Sequence, residues 1–488
     1  MTEPAAPARP ELSSDASFPP GFAWGVATAA YQIEGGVNEG GRGPSIWDTF
    51  SHRPGTTING DNGDIACDHY HRWEADLDLM ADLGIPSYRL SLSWSRLQPT
   101  GTGPLNPDGV RFYRDLLAGC MARGITPYVT LYHWDLPQAL QDDGGWPARQ
   151  TAYRFGDYAG LVAEALGDLA EHWITINEPM CAAFLGHSWG MQAPGFRDDS
   201  LAVPAAHHLL LAHGLALAEF RTRRPGTKLG ITNIIGNLNP ASDSPADREA
   251  TEYWDAISNR IFLDPVYRGR YADSTVAAYG QFGLTATGEG AGPGDLVQPG
   301  DLEIISAPGD FAGINHYTNM LVSAGPGADG TPNWTHVQPA PSSFGWSNTP
   351  GALKAVLKRV AAEYTQLPLY VTENGVTFHD YVDPNGEVRD PRRIDYLRGY
   401  ISAVGEAITD GVDVRGYFAW SFMDNFEWAE GYDKRFGLVY VDYRTQTRIP
   451  KQSAYWYRDT IAAHSAGSQS TGLHSAANAT PATAGATA

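Results

Sequence analysis

Short runs of apolar, β-branched and aromatic residues alternate along this chain with longer stretches whose apolar positions recur every three or four residues. The first pattern suits a strand buried on both faces, the second an amphipathic helix. Strand-like runs stand at 22–28, 87–93, 126–132, 172–176, 228–234, 311–315, 369–372 and 414–420. Helical spacing fills the intervals at 68–83, 109–123, 153–169, 204–223, 249–264, 351–364 and 390–410. In the first of these, Trp73, Leu77, Met80 and Leu83 share one face. Strands alternating with helices in this number predict an α/β fold, a (β/α)8 TIM barrel, as one domain with long βα loops. The length beyond a minimal barrel of roughly 250 residues is assigned to loops, chiefly 36–64, 323–346 and 425–442. The Gly-rich stretch 280–300 predicts an exposed connection. Residues 1–16 and 465–488 hold almost no large apolar side chain. They predict disordered tails around a domain at 17–464, because they cannot bury enough surface to offset ordering entropy.

Composition narrows the partners. The net charge of -21 over 488 residues opposes a nucleic-acid or anionic-membrane partner, since phosphate binding needs basic stripes. No stretch reads as long and apolar enough to span a bilayer. The N-terminus lacks the basic start and apolar run of a signal peptide, and the expected location is cytoplasmic. Cys67, Cys120 and Cys181 form no disulfide framework and no CxxC pair. Cys181 reads as packing, and His207 and His208 as structural residues opening an apolar helix. Oligomeric state is not readable from the chain.

The chemistry gathers at strand ends. Glu178 closes the run His172-Trp173-Ile174-Thr175-Ile176-Asn177, and Glu373 closes Leu369-Tyr370-Val371-Thr372. Catalytic groups of such barrels stand at the C-terminal ends of strands. Two acids there, on strands far apart in sequence, suggest a carboxyl pair facing one substrate. Gln32 follows the first strand, Arg89 lies within the second, and His133 and Trp134 follow the third. Asn315 and Tyr317 end the sixth, and Trp420 ends the eighth.

With these residues in view, the chain resembles glycoside hydrolase family 1, the β-glucosidase and β-galactosidase family, from Phe18 to about Ile461. The resemblance rests on 22–35 (ending Tyr31-Gln32-Ile33-Glu34-Gly35), 88–96 around Arg89, and Tyr132-His133-Trp134-Asp135-Leu136-Pro137. It continues through Thr175-Ile176-Asn177-Glu178-Pro179, Gly313-Ile314-Asn315-His316-Tyr317-Thr318 and Val371-Thr372-Glu373-Asn374-Gly375. The last part is Trp420 through Trp428, running on to Lys434-Arg435-Phe436-Gly437. The resemblance implies that Glu373 is the nucleophile and Glu178 the acid/base. It implies that Gln32, His133, Asn177, Glu427 and Trp428 hold sugar hydroxyls, with Trp420 as the platform beneath the sugar. Arg89, Asn315 and Tyr317 would surround the nucleophile, and Trp134 and Phe436 would face substrate. No metal or organic cofactor is implied.

The chemistry fits those residue types. Cleavage through an oxocarbenium-like state needs one carboxyl to protonate the leaving oxygen and another to attack the anomeric carbon. Arg89 can supply a cation beside Glu373, and the charge on Glu373 would make Glu178 hold its proton longer. The implied activity is a retaining β-glucosidase acting on small β-glycosides or short β-linked oligosaccharides, with galactosyl and fucosyl residues as further substrates. The alternatives are a 6-phospho-β-glycosidase, which Glu427 and Glu430 oppose and Lys434 and Arg435 favour, and a non-catalytic sugar-binding relative. Two positions depart from the family pattern. Met180 stands where a tryptophan is frequent beside the leaving-group subsite, and His316 where an aromatic ring is frequent.

Overall fold

The computed structural model describes residues 11–290, 292, 294–326 and 332–465. Its centre is a closed barrel of parallel strands in sequential order. These are β1 (Ala23–Ala27), β2 (Ser87–Ser91), β3 (Thr126–Tyr132), β4 (His172–Asn177), β5 (Lys228–Ile234), β6 (Phe311–Asn315), β7 (Leu369–Asn374) and β8 (Val414–Trp420), with β8 closing on β1. Each lies where the apolar runs place it, within two residues at either end. The reason is local: parallel strands covered on both faces must be apolar throughout, which marks them in the sequence.

Aromatic side chains fill the barrel interior below the strand ends. Tyr128 stacks on His172 at 4.4 Å and meets the edge of Phe418 at 4.8 Å, and Phe311 meets Tyr370 at 5.3 Å. Such pairs each contribute about 0.5–1.5 kcal/mol beyond their burial. Room for them comes from a strand glycine: a Cβ on Gly25 would lie 2.5 Å from the Phe418 ring.

Helices depart from expectation in informative places. The helix expected from Pro204 begins at Asp199, because the Asp198 side chain accepts from Ser200 N–H and caps it there. The expected helix 249–264 is part of a longer helical run, Pro245–Asp255 and Ile261–Arg268, joined by a π-helical turn at Ala256–Arg260. Helix Asp199–Arg223 is, by length and composition, apolar enough to cross a membrane, contrary to the sequence reading. Its apolar window is 78% buried within the fold, and it packs against Arg149–Leu166 as a core helix.

Loops and ends are more structured than expected. The loop expected at 323–346 carries paired strands, Asn319–Pro326 with Pro332–His336. The 280–300 connection is anchored by buried Leu284 and Val297. Of the expected N-terminal tail, residues 1–10 lie outside the described residues, but 11–16 dock on helix Pro391–Thr409. Ser13 N–H donates to Ser402 Oγ at 3.0 Å, and Thr409 Oγ1 donates to Asp15 O at 2.8 Å. Gly405 makes the approach possible, since a Cβ there would lie 2.6 Å from that of Ala16. The last helix, Gln452–Ser465, runs to the edge of the expected C-terminal tail, and 466–488 lie outside the described residues.

Candidate active site

The chain turns sharply where β4 ends. Glu178 has φ of 46°, in the left-handed region, a strain of about 1–3 kcal/mol for a residue with a side chain. Backbone bonds hold it there. Glu178 N–H donates to Thr232 O at 2.8 Å, and Cys181 N–H returns to Glu178 O at 3.0 Å. Cys181 opens a π-helical turn, Cys181–Leu185. Glu373 lies within β7, where a register shift against β6 falls between Val371 and Glu373. Such a bulge re-aims a side chain. Gly375 then lets β7 pass β8, since a Cβ there would lie 1.8 Å from Trp420 O.

Both carboxyls are 3% exposed and differ in their partners. Glu373 Oε1 accepts from Arg89 Nη1 in a buried ion pair, and Oε2 accepts from Tyr317 OH at 2.5 Å. Two donors on two oxygens are the contact set of a carboxylate. Glu178 Oε1 accepts from Asn315 Nδ2 at 2.6 Å, and Oε2 accepts from the Cys181 thiol at 3.1 Å. Asn177 ties the pair together. Its Oδ1 accepts from Arg89 Nη2 at 2.6 Å and from Asn315 Nδ2 at 3.1 Å, while its Nδ2 donates to His133 Nε2 at 3.0 Å.

Electrostatics separate the roles. Burial, then the charge on Glu373, pushes Glu178 up to about 8, against the pull of Asn315, Cys181 and Arg89. Its proton is therefore held at neutral pH. Burial and Arg89 hold His133 well below the usual histidine value, so its ring is neutral. Burial and then Glu373 raise Tyr317, which keeps the phenol proton it donates. Burial, then the charges on Glu373 and Glu430, raise Glu427 as well.

The raised acid has a consequence for stability. Its folded pKa lies above the unfolded value of 4.5, so the folded state binds the extra proton and stability falls as pH rises between those values. Glu178→Gln removes that penalty and is expected to stabilise the protein by about 4 kcal/mol near pH 7.5, with little gain near pH 4. Thermal unfolding at both pH values checks this; equal gains at both would contradict it.

Above the carboxyls opens a cavity of about 660 Å³, the size that holds one or two sugar rings. Among the residues expected from sequence, Glu178, Glu373, His133, Trp134, Tyr317, Trp420, Glu427, Trp428 and Phe436 line it. Gln32, Arg89, Asn177 and Asn315 form the bonded layer that supports this wall. Gln32 Nε2 donates to Phe426 O at 2.9 Å and Asn425 Oδ1 at 3.0 Å, and lies 3.4 Å from Glu427 Oε2. The loop bearing Glu427 and Trp428 is pinned by buried Asp424, which accepts from Lys451 and Arg435, each at 2.7 Å. Trp134 and Trp428 both have left-handed backbone, and their rings meet at 4.7 Å.

Several lining residues escaped the sequence reading. Trp346 sits over Tyr317 at 5.2 Å and stacks on Phe344 at 4.4 Å, while Trp189, Trp254 and Trp334 also line the cavity. Trp189, Trp334 and Trp346 lie outside the periodic stretches, and the helical pattern around Trp254 does not point it to the strand ends; the abundance of tryptophan is the only signal. Met180 lines a neighbouring pocket that shares Trp189 and Trp254 with the main cavity. His316 Nδ1 makes a 2.9 Å hydrogen bond to Ile235 O, a structural contact. Among the described residues, no three His, Cys, Asp or Glu side chains stand together as a metal site.

A parallel barrel with a proton-holding carboxyl and an arginine-paired one in a single aromatic cavity defines a carboxyl-pair glycoside hydrolase. The chain belongs to glycosyl hydrolase family 1, whose model matches residues 14–466. It is 44% identical over 445 residues to beta-glucosidase A of Thermotoga maritima, covering 91% of this chain and 97% of that protein. It is 47% identical over 471 residues to a bifunctional beta-D-glucosidase/beta-D-fucosidase of Bifidobacterium breve, covering 92% and 99%. A solved Thermotoga maritima family 1 glycoside hydrolase, complexed with a cyclophellitol analogue transition state mimic, superposes with a TM-score of 0.87 at 43% identity. That match covers 92% of this chain and 98% of the other.

Proposed function

We propose that this chain hydrolyses terminal β-linked glucosyl residues with net retention, through a glycosyl ester on Glu373. The observation that carries this reading is the unequal carboxyl pair: Glu178 keeps its proton beside Glu373, which Arg89 and Tyr317 hold as an acceptor. In the first step the Glu178 proton passes to the glycosidic oxygen, the bond from that oxygen to the anomeric carbon breaks, and Glu373 bonds to the carbon. Forming the ester removes the charge on Glu373, the largest electrostatic reason for Glu178 to stay protonated. Glu178 then accepts a proton from water as that water displaces Glu373.

Recognition combines ring faces with fixed polar groups. Trp420 supplies the platform, and His133, Glu427 and Trp428 meet hydroxyls, with Gln32 and Asn177 as their supports and further partners. Short β-linked oligosaccharides and aryl or alkyl β-glucosides suit the cavity volume. The name of the Bifidobacterium breve relative supports β-fucosides as a further substrate. A sugar 6-phosphate is disfavoured. Glu427 and Glu430 line the cavity, Lys434 pairs with Glu430 at 3.4 Å and with Asp433 at 2.5 Å, and Arg435 is engaged by Asp424.

The test is a panel of 4-nitrophenyl β-glycosides with cellobiose, read by rate and by NMR of the first-formed anomer. The expected result is turnover of glucoside, fucoside and cellobiose, with β-glucose appearing first. The 6-phosphoglucoside should react at least about 100-fold more slowly, a loss of roughly 3 kcal/mol, because the nearby cations Lys434 and Arg435 are already paired and leave the buried phosphate uncompensated. First appearance of α-glucose, or preference for the phosphate, would overturn the assignment.

A further inference from the structure

We propose that Cys181 is a positioning residue of the acid/base: its thiol donates to Glu178 Oε2 and thereby orients the oxygen that carries the catalytic proton. The inference rests on the reading of Glu178 as the acid/base. It starts from the other oxygen. Asn315 Nδ2 donates to Glu178 Oε1 at 2.6 Å, and that amide cannot flip without loss, because Thr372 Oγ1 donates to Asn315 Oδ1 at 2.7 Å. Thr372 Oγ1 in turn accepts from Thr232 Oγ1 at 3.2 Å. The amide N–H is the stronger and closer of the two donors and takes the better acceptor, which in a protonated carboxyl is the carbonyl oxygen, so Oε1 is that oxygen. The proton therefore resides on Oε2, the oxygen 3.1 Å from the sulfur.

The backbone builds this contact. The left-handed Glu178, the following Pro179 and the Cys181 N–H bond to Glu178 O place residue 181 beside residue 178. The π-helical turn begins at Cys181 itself, a rare geometry that recurs at functional sites. Cys181 lines the cavity while being 5% exposed. Burial and the neighbouring Glu178 and Glu373 hold its thiol well above the usual value, so it keeps the S–H it donates. Two fixed donors leave Glu178 one direction for its proton, toward the leaving oxygen. After transfer the same two donors receive the carboxylate and hold it for the attack of water. The other titratable groups that act on Glu178 or feel it are Glu373, Arg89, Tyr317 and Glu427. None of these bonds to its Oε2.

The test compares Cys181→Ala, Cys181→Val and Cys181→Ser. Losing a donor to the ionised form raises the Glu178 pKa. In the Ala and Val variants the alkaline limb of kcat/KM should move up by roughly half a pH unit. Their kcat/KM for cellobiose, a poor leaving group, should fall about three- to tenfold, while that for 2,4-dinitrophenyl β-glucoside stays within about twofold. Cys181→Ser keeps a hydroxyl donor and should restore both readouts. Equal losses on the two substrates, or an unmoved pH profile in both apolar variants, would reduce Cys181 to packing and overturn the proposal. Should one apolar variant fold poorly, the other compared with Cys181→Ser decides. Full cellobiose turnover by Glu178→Gln would instead refute the acid/base reading itself, so the two failures are distinguishable.

Discussion

Glu373→Gly is expected to hydrolyse a nitrophenyl β-glucoside at least about 10⁴-fold more slowly than the unaltered chain. Without the carboxylate no ester forms, and the cavity keeps only its positioning groups. Arg89, 1% exposed, also loses its carboxylate partner. Leaving a buried guanidinium unpaired costs about 3–5 kcal/mol, so the melting temperature should drop with the rate. The space vacated admits a small anion beside Arg89 and Tyr317. Azide supplied to this variant with an activated β-glucoside should attack from the vacated side and yield the α-glucosyl azide. NMR of the product measures that. Activity within tenfold of the starting level would remove Glu373 from the reaction.

Glu178→Ala should respond according to the leaving group. For cellobiose, whose departing oxygen needs a proton, kcat/KM should fall by about 10³–10⁴-fold. For 2,4-dinitrophenyl β-glucoside, which departs unaided, kcat/KM should change little. Deglycosylation, deprived of its base, becomes slow, so kcat and KM fall together and the ester accumulates to a mass detectable on intact protein. Azide should now restore turnover and give the β-glucosyl azide, the opposite anomer to that from Glu373→Gly. The alkaline limb of kcat/KM should disappear with the group that burial and Glu373 hold up to about 8. A uniform loss across leaving groups would mean that Glu178 supports the site without moving a proton.

Much of this site is legible before any coordinates exist. Each strand of the barrel must be apolar on both faces and must end in polar residues where it surfaces. Glu178 and Glu373 therefore announce themselves as acids after apolar runs, and Arg89 as a cation inside one. The helix boundary at Asp199 was missed because Pro204 is itself a plausible first-turn residue; the capping bond of Asp198 decides it. Residues 11–16 read as tail because their composition is poor in apolar side chains. They dock through Gly405, nearly the whole chain length away, and local composition carries no trace of such a contact. Trp346 escapes the pattern for a related reason, and the contact of Cys181 with Glu178 is equally silent there. Loops have no period, and a cysteine three residues past an acid looks the same in a helix, a turn or a strand.

Hydrophobic periodicity and the acids that end two strands determined the barrel and its carboxyl pair from the chain alone, because both are properties of consecutive residues. Which donor meets which carboxyl oxygen belonged to the tertiary structure, as did the burial that is the largest reason for Glu178 to keep its proton. Glu178 is raised by burial from every side and by Glu373, and steadied by Asn315 from β6. Those contributions come from segments far apart in sequence that only folding brings within hydrogen-bond reach.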